Sequence, residues 1–354
     1  MRSLFRRTVQ GALALLVFNT ATYAADDGRL PTIDCDAEWK DMSGNEILAQ
    51  GGSVIKVGDL FYWYGVEFAG TRTQPIPKQI RCYTSTDLAT WSYAGVVLNQ
   101  HVAKKVRALP PTVAGGKTLL ATREGANIVL ATSASPTGPF SVEKTLALPT
   151  AKGDGDLTFF QAADGAISVI YTVKSNEAGT TNNIVCAKLS SDGSQLGAAT
   201  TLFANVPYGS PSIWVRDGMF YCMAGAIDAG WSSSSTWYTT AIQITGPWDK
   251  WKAIGRSIVC RDQLLATSFN SQPNTLLQVA GAQETLFIYW GDRWSNFTGY
   301  GTGRYVCLPL DFIDGVPGMT WYRPWHPDVA QGTFTHELRR YALWRESPAP
   351  KKKK

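Results

Sequence analysis

Histidine is nearly absent from this chain: only His101, His326 and His336 occur in 354 residues. The cysteines, at 35, 82, 186, 222, 260 and 307, are scattered singly, with no Cys-x-x-Cys pair and no Cys/His cluster. A zinc site built on sequence-local pairs is thereby excluded, and neither a metal nor a cofactor is expected. A dominant charge is missing too. The net charge is +5, and without Arg2, Arg6, Arg7 and Lys351 to Lys354 the body from Asp26 to Pro350 sits at about −2. Such a body has no basic face for phosphates, which argues against nucleic acid as a partner. Nor is there an apolar run near the roughly 20 residues that a membrane-spanning helix needs.

The two ends have their own character. Arg2, Arg6 and Arg7 precede a mostly apolar stretch from Thr8 to Phe18, and Thr22-Tyr23-Ala24 supplies small residues where signal peptidase reads. Residues 1–24 therefore predict a signal peptide and a secreted or periplasmic protein, free of the membrane after cleavage. The other reading of this segment is an uncleaved N-terminal anchor. Ser347-Pro348-Ala349-Pro350 and the lysines make 346–354 a flexible, solvated tail.

What the sequence does have is a repeat. Each copy places an apolar strand before a Gly/Asp turn and a second strand rich in aromatic and β-branched residues. The turns with their second strands are Gly58–Tyr64, Gly116–Leu120, Asp164–Tyr171, Asp217–Cys222 and Gln283–Trp290. A third strand follows each, around Ile80–Tyr83, Ile128–Ala131, Ile184–Ala187, Tyr238–Ala241 and Tyr305–Leu308. Thr137-Gly138-Pro139-Phe140 and Thr245-Gly246-Pro247-Trp248 even repeat local text in the second and fourth copies. Five copies of one three-strand order predict an all-β, five-bladed β-propeller over residues 25–345, expected as a monomer. A β-sandwich also uses short strands but does not explain the repeated order. Residues before Ile47 and after Asp311 are expected to close the ring. Cys82, Cys186 and Cys307 share one third-strand position in separate blades, too far apart for disulfides.

The first strand of a propeller blade runs near the axis, and its start opens onto the ligand-binding mouth. Counting back eight or nine residues from Gly58, Gly116, Asp164, Asp217 and Gly281 gives Gln50, Ala108 beside Arg107, Asp156, Gly209 and Gln272. One carboxylate, two amides, a glycine and an alanine would face the mouth.

At these residues a resemblance becomes specific. Gly44-Asn45-Glu46-Ile47-Leu48-Ala49-Gln50-Gly51-Gly52 and Tyr62-Trp63-Tyr64-Gly65 resemble the opening of glycoside hydrolase family 43 proteins related to exo-β-1,3-galactanases. Asp156-Leu157-Thr158-Phe159-Phe160, Ala229-Gly230-Trp231, Gly291-Asp292-Arg293-Trp294 and Tyr305-Val306-Cys307-Leu308-Pro309-Leu310 are similar to later motifs of that group. The likeness spans about Asp34 to Pro327. It implies an inverting hydrolase, in which a protonated Glu gives its proton to the leaving oxygen while a base activates water on the other face. Carried over by motif, Asp156 matches the aspartate that tunes the acid, and Gln272 the glutamine held to replace the usual base. The acid itself should be the Glu of an Arg-Glu-Ala-Pro text, and here Gly209 stands in Tyr208-Gly209-Ser210-Pro211. A second acidic position of the group falls in the Arg107–Pro110 region, which contains no acid.

Losing the donor removes an effect worth about 10²–10⁴-fold. Glu67, Glu124, Asp154, Asp228 and Asp292 are the acids that could stand in, although Asp292 has a plain structural use on Arg293 or a turn amide. Gln50, Glu67, Asp228, Trp231 and Asp292 are the expected substrate contacts. Most tryptophans, among them Trp63, Trp214 and Trp290, lie on strands and suit packing between blades. Trp231 and Trp237 flank a Ser-rich loop at the mouth, where an aromatic face suits a sugar ring. Two functions stay open: a hydrolase of β-linked galactan or a related arabinose- or xylose-bearing polysaccharide, and a propeller that binds such an oligosaccharide or polysaccharide without cutting it.

Overall fold

A computed structural model describes residues 30–71, 74–227, 233–254, 268–294 and 304–336. The second strands dictate the architecture. Phe61 to Phe68 is buried without alternation, as happens when both faces of a strand are covered by neighbouring sheets. Each such strand is the second of a four-stranded antiparallel blade.

Blade 1 runs β1 (Gln50–Val57), β2 (Leu60–Thr71), β3 (Gln74–Ser85) and β4 (Ser92–Leu98). Blade 2 follows with β5 (Val106–Ala114), β6 (Lys117–Glu124), β7 (Asn127–Ser133) and β8 (Ser141–Ala147). Blade 3 is β9 (Leu157–Gln161), β10 (Ile167–Lys174), β11 (Asn182–Leu189) and β12 (Thr200–Val206). Blade 4 is β13 (Tyr208–Arg216), β14 (Met219–Ala226), β15 (Thr236–Ala241) and the short β16 (Lys252–Ala253). Blade 5 is β17 (Gln272–Ala280), β18 (Thr285–Asp292), β19 (Tyr305–Ile313) and β20 (Val316–Met319). The inner strands touch in a closed ring, β1 to β5, β9, β13, β17 and back to β1. The chain is a five-bladed β-propeller.

Every blade is one continuous stretch of chain, so the ends close the ring without lending a strand. Ile33 and Trp325 exchange backbone hydrogen bonds at 2.9 and 3.1 Å, docking the N-terminal segment on the hairpin of β21 (Trp325–Asp328) and β22 (Thr333–His336). The Arg293 guanidinium pins the same segment by donating to the Cys35 carbonyl at 2.6 Å. The two Thr-Gly-Pro texts lie between third and fourth strands, each with a cis peptide before its proline.

The largest apolar core fills the seam of blades 1 and 5. Trp63 lies 5.0 Å from Trp290, 4.6 Å from Tyr305 and 5.8 Å from Trp39, ring centre to ring centre, in edge-to-face contacts. Aliphatic clusters join blades 2, 3 and 4. The five described cysteines are free, buried thiols, Cys82, Cys186 and Cys307 among them. Cys260 lies outside the described residues.

Candidate active site

The mouth is shaped by irregularities near the start of the inner strands. In β13 the register slips between Gly209 and Ser212, and Ser210 takes a left-handed φ of 50°. A bulge of this kind re-aims backbone groups. Here it presents the Ser210 amide to the Asp156 carboxylate at 2.7 Å. The same device recurs in β1, where the slip lies between Gln50 and Ser53 and Gly51 has φ 60°. The Gly51 amide donates to Asp292 at 3.1 Å. Only glycine fits that position, because a Cβ would sit 2.2 Å from the Lys104 carbonyl oxygen.

The β13 bulge borders a cavity of about 580 Å³ lined by Asp156, Gly209, Ser210 and Gln272 together with Lys105 and Arg107. Gln272 opens β17 and pairs in register with Asp292 on β18. Gly209 lies against Asp156: a Cβ at 209 would fall 2.8 Å from Asp156 Oδ2 and 2.9 Å from Ile227 Cγ2. The three mouth positions that the family motifs single out are thus brought together in one cavity.

Lys105 was not legible as a site residue, and it changes the chemistry. Its ammonium donates to Asp156 Oδ1 at 2.6 Å and also bonds the Ser210 hydroxyl. Burial pushes the Asp156 carboxyl up, but Lys105, the Ser210 amide and Arg107 outweigh it and bring its pKa down to about 2. Asp156 is therefore an ionised, paired carboxylate. Lys105 directly precedes β5 as Asp156 directly precedes β9, which is the signal that could have found it.

The other expected residues lie elsewhere. Asp292 and Gln50 are 1% and 3% exposed and do not line the cavity. Burial drives Asp292 up to about 7, against the pull of the Gly51 amide, Lys105 and Arg107. Its Oδ1 and the Gln50 Oε1 have no hydrogen-bond partner among the described residues. Asp292 therefore bonds a backbone amide, one of the two structural uses expected of it. Glu67 sits on the β2–β3 hairpin, its carboxylate held by Lys78 at 3.1 Å, Gln79 at 2.5 Å and Arg81 at 2.6 Å. Asp228 and Trp231 lie outside the described residues. Trp237 packs on Tyr208 with ring centres 5.6 Å apart.

One count from the turns needs correcting. Ala108 pairs with Leu120 well inside blade 2 and lines the channel below the mouth. The register of β5 slips between Leu109 and Ala114, so counting back from Gly116 lands too deep. Its neighbour Arg107 reaches the cavity floor, 3% exposed, donating to the carbonyls of Gly51, Gly52, Val106 and Asn274 and to the Asn274 side chain. Arg123 likewise ties blade 2 to blade 3 through the carbonyls of Gly153, Asp156 and Thr172. Glu124 and Asp154 line the same cavity, Glu124 beside His101 at 3.2 Å and Asp154 accepting from the Gly125 amide at 2.9 Å. Among the described residues no group of three or more His, Cys, Asp or Glu is placed to hold a metal ion. No described helix is long and apolar enough to cross a membrane.

A propeller with a polar cavity at one end of its axis is a scaffold for ligand binding or catalysis on several chemistries, and comparison narrows the class. The model of glycosyl hydrolases family 43 matches residues 47–317, and the chain belongs to that family. Among solved structures it is similar to an exo-β-1,3-galactanase from Clostridium thermocellum: 23% identity, TM-score 0.73, 87% of this chain on 69% of that one. It is also similar to an exo-β-1,3-galactanase from Phanerochaete chrysosporium held with β-1,3-galactotriose: 23% identity, TM-score 0.74, 87% on 71%. A family 43 β-1,3-galactosidase with galactodeoxynojirimycin aligns at 21% identity and TM-score 0.68, 82% on 99%. These likenesses establish the shared fold. No curated protein matches by sequence.

Proposed function

We propose that this chain is an exported family 43 protein whose mouth takes the end of a β-1,3-linked galactan, or a related arabinose- or xylose-bearing polysaccharide. We further propose that it hydrolyses that ligand only feebly. The observation that carries the reading is the convergence of Asp156, Gln272 and Gly209 on one cavity, with Asp156 in contact range of a side chain at 209. In the inverting scheme a glutamic acid at 209 would protonate the leaving oxygen, and the ionised Asp156 beside it would raise its pKa. Gln272 would orient the attacking water from the other face. With glycine at 209 the proton transfer has no donor, and the loss is of order 10²–10⁴ in rate. Lys105 is already engaged by Asp156 and the Ser210 hydroxyl. Residues 1–24 support export, and a single propeller with its ring closed by its own ends supports a monomer.

A second reading rests on Glu124 and Asp154, which line the same cavity and could supply the proton from the blade 2 side. β-1,3-Galactobiose and galactotriose, offered to the wild type, separate the two by calorimetric affinity and by released galactose. The proposal expects measurable affinity with turnover barely above background. Brisk turnover that Glu124→Gln or Asp154→Asn abolishes would replace it with the relocated-donor enzyme.

A further inference from the structure

Beneath the mouth, Arg107 separates two cavities. It lines the site above and also a channel of about 250 Å³ that runs down the propeller axis. All five inner strands contribute to this channel, among them Ser53 of β1, Thr158 of β9, Ser212 of β13 and Thr275 of β17. Its polar lining is hydroxyls, the Gln161 and Gln278 amides and Arg107, with no carboxylate among the described residues.

Two buried donors there are left over. Arg107 Nε and Ser212 Oγ have no hydrogen-bond partner among the described residues, although they are only 3% and 5% exposed. Buried polar groups in folded proteins are nearly always paired. The charge is unbalanced as well. Every bond that Arg107 makes goes to a neutral oxygen: the carbonyls of Gly51, Gly52, Val106 and Asn274 and the Asn274 amide. Asp156 and Asp292 act on it only through space. The first is already bonded to Lys105, and the second is pushed up to about 7 and so is partly neutral. A buried cation without a bonded counter-charge is costly. Water can satisfy the orphaned donors but cannot neutralise the guanidinium.

We propose that this axial channel is a binding site for a small monovalent anion of halide size, held by Arg107 and Ser212. The site lies outside the sugar-binding mouth and does not depend on what the mouth does. A bound anion there stiffens the point where Arg107 joins blades 1, 2 and 5, so its effect is read as stability.

Melting the protein in sodium chloride, sodium bromide and, at equal ionic strength, sodium isethionate tests the site. Halide should raise Tm saturably, by roughly 2–5 °C at ten times its dissociation constant. Crystals grown in bromide should give an anomalous peak within hydrogen-bond distance of Arg107 and Ser212. Ser212→Ala keeps the small buried side chain and should weaken halide affinity roughly 10-fold. The proposal is overturned by equal Tm values in the three salts, by a channel holding only water in bromide-grown crystals, or by unaltered halide affinity in Ser212→Ala. Arg107→Lys, which keeps the charge but loses the fork, should also weaken the halide effect, and an unchanged effect counts against the site.

Discussion

Two aspartates of this propeller are held by the same device and end in opposite states. Asp156 and Asp292 each accept a bond from the amide of a bulged residue in the next blade, Ser210 and Gly51 respectively. Asp156 is half-buried beside the Lys105 ammonium and stays ionised, its pKa down at about 2. Asp292 is 1% exposed on β18 of blade 5, and burial lifts it to about 7. The difference is set by surroundings, not by the backbone motif. One aspartate is set in a dry, sealed wall. The other is set in a charged wall that lines the cavity beside Gly209.

The comparison breaks most visibly if the dry wall is opened. Trp290→Ala removes a fully buried ring in contact with Trp39, Trp63 and Trp91 and should cost roughly 3–5 kcal/mol in guanidinium unfolding. A cost below about 1 kcal/mol would mean the seam is not the anchor claimed for it.

Acid–base behaviour separates the walls next. Because the folded pKa of Asp292 is raised, stability should fall as pH rises from about 4 to about 7 and then level off, a loss of roughly 2–4 kcal/mol. Asp292→Asn should flatten that limb; an unchanged pH profile would contradict the buried assignment. Asp156 acts in the opposite sense. Its folded pKa is lowered, so its contribution is present above about pH 4 and lost as pH falls toward 2. Lys105→Met removes the largest stabilising partner of that charge. It should raise the Asp156 pKa, followed by carbon NMR, and cost roughly 1–2 kcal/mol at neutral pH. No movement of the Asp156 resonance would sink the pairing.

Glu67 gives the smallest effect. Its carboxylate serves Lys78, Gln79 and Arg81 of its own hairpin, so Glu67→Gln should cost roughly 1 kcal/mol and leave galactan affinity unaltered. A large loss of affinity would return Glu67 to the sugar.

The fold was legible because each blade repeats one turn and one fully buried second strand, which no sandwich reproduces. Counting back from the turns found Asp156, Gly209 and Gln272 because β9 pairs without a slip and the slips in β13 and β17 lie close to the strand start. It failed at Ala108, where the slip in β5 adds residues that no motif announces. Lys105 was missed because its role depends on blade 3 and blade 4 groups, Asp156 and Ser210, far away in sequence. The burial of Gln50 and Asp292 was equally hidden, because it depends on blades 1 and 5 meeting where the ring closes.

The vacancy at 209 is the claim on which the functional account stands. Gly209 is not in a left-handed conformation, and a Cβ there would meet two side-chain atoms rather than backbone, Asp156 Oδ2 at 2.8 Å and Ile227 Cγ2 at 2.9 Å, both of which must shift to admit it. Galactose release from β-1,3-galactotriose, compared between wild type, Gly209→Glu and Gly209→Glu/Asp156→Asn, tests it directly. The account predicts a gain approaching 10²-fold for Gly209→Glu, most of it lost in the double variant. A folded Gly209→Glu protein that cleaves no faster than the wild type would contradict it.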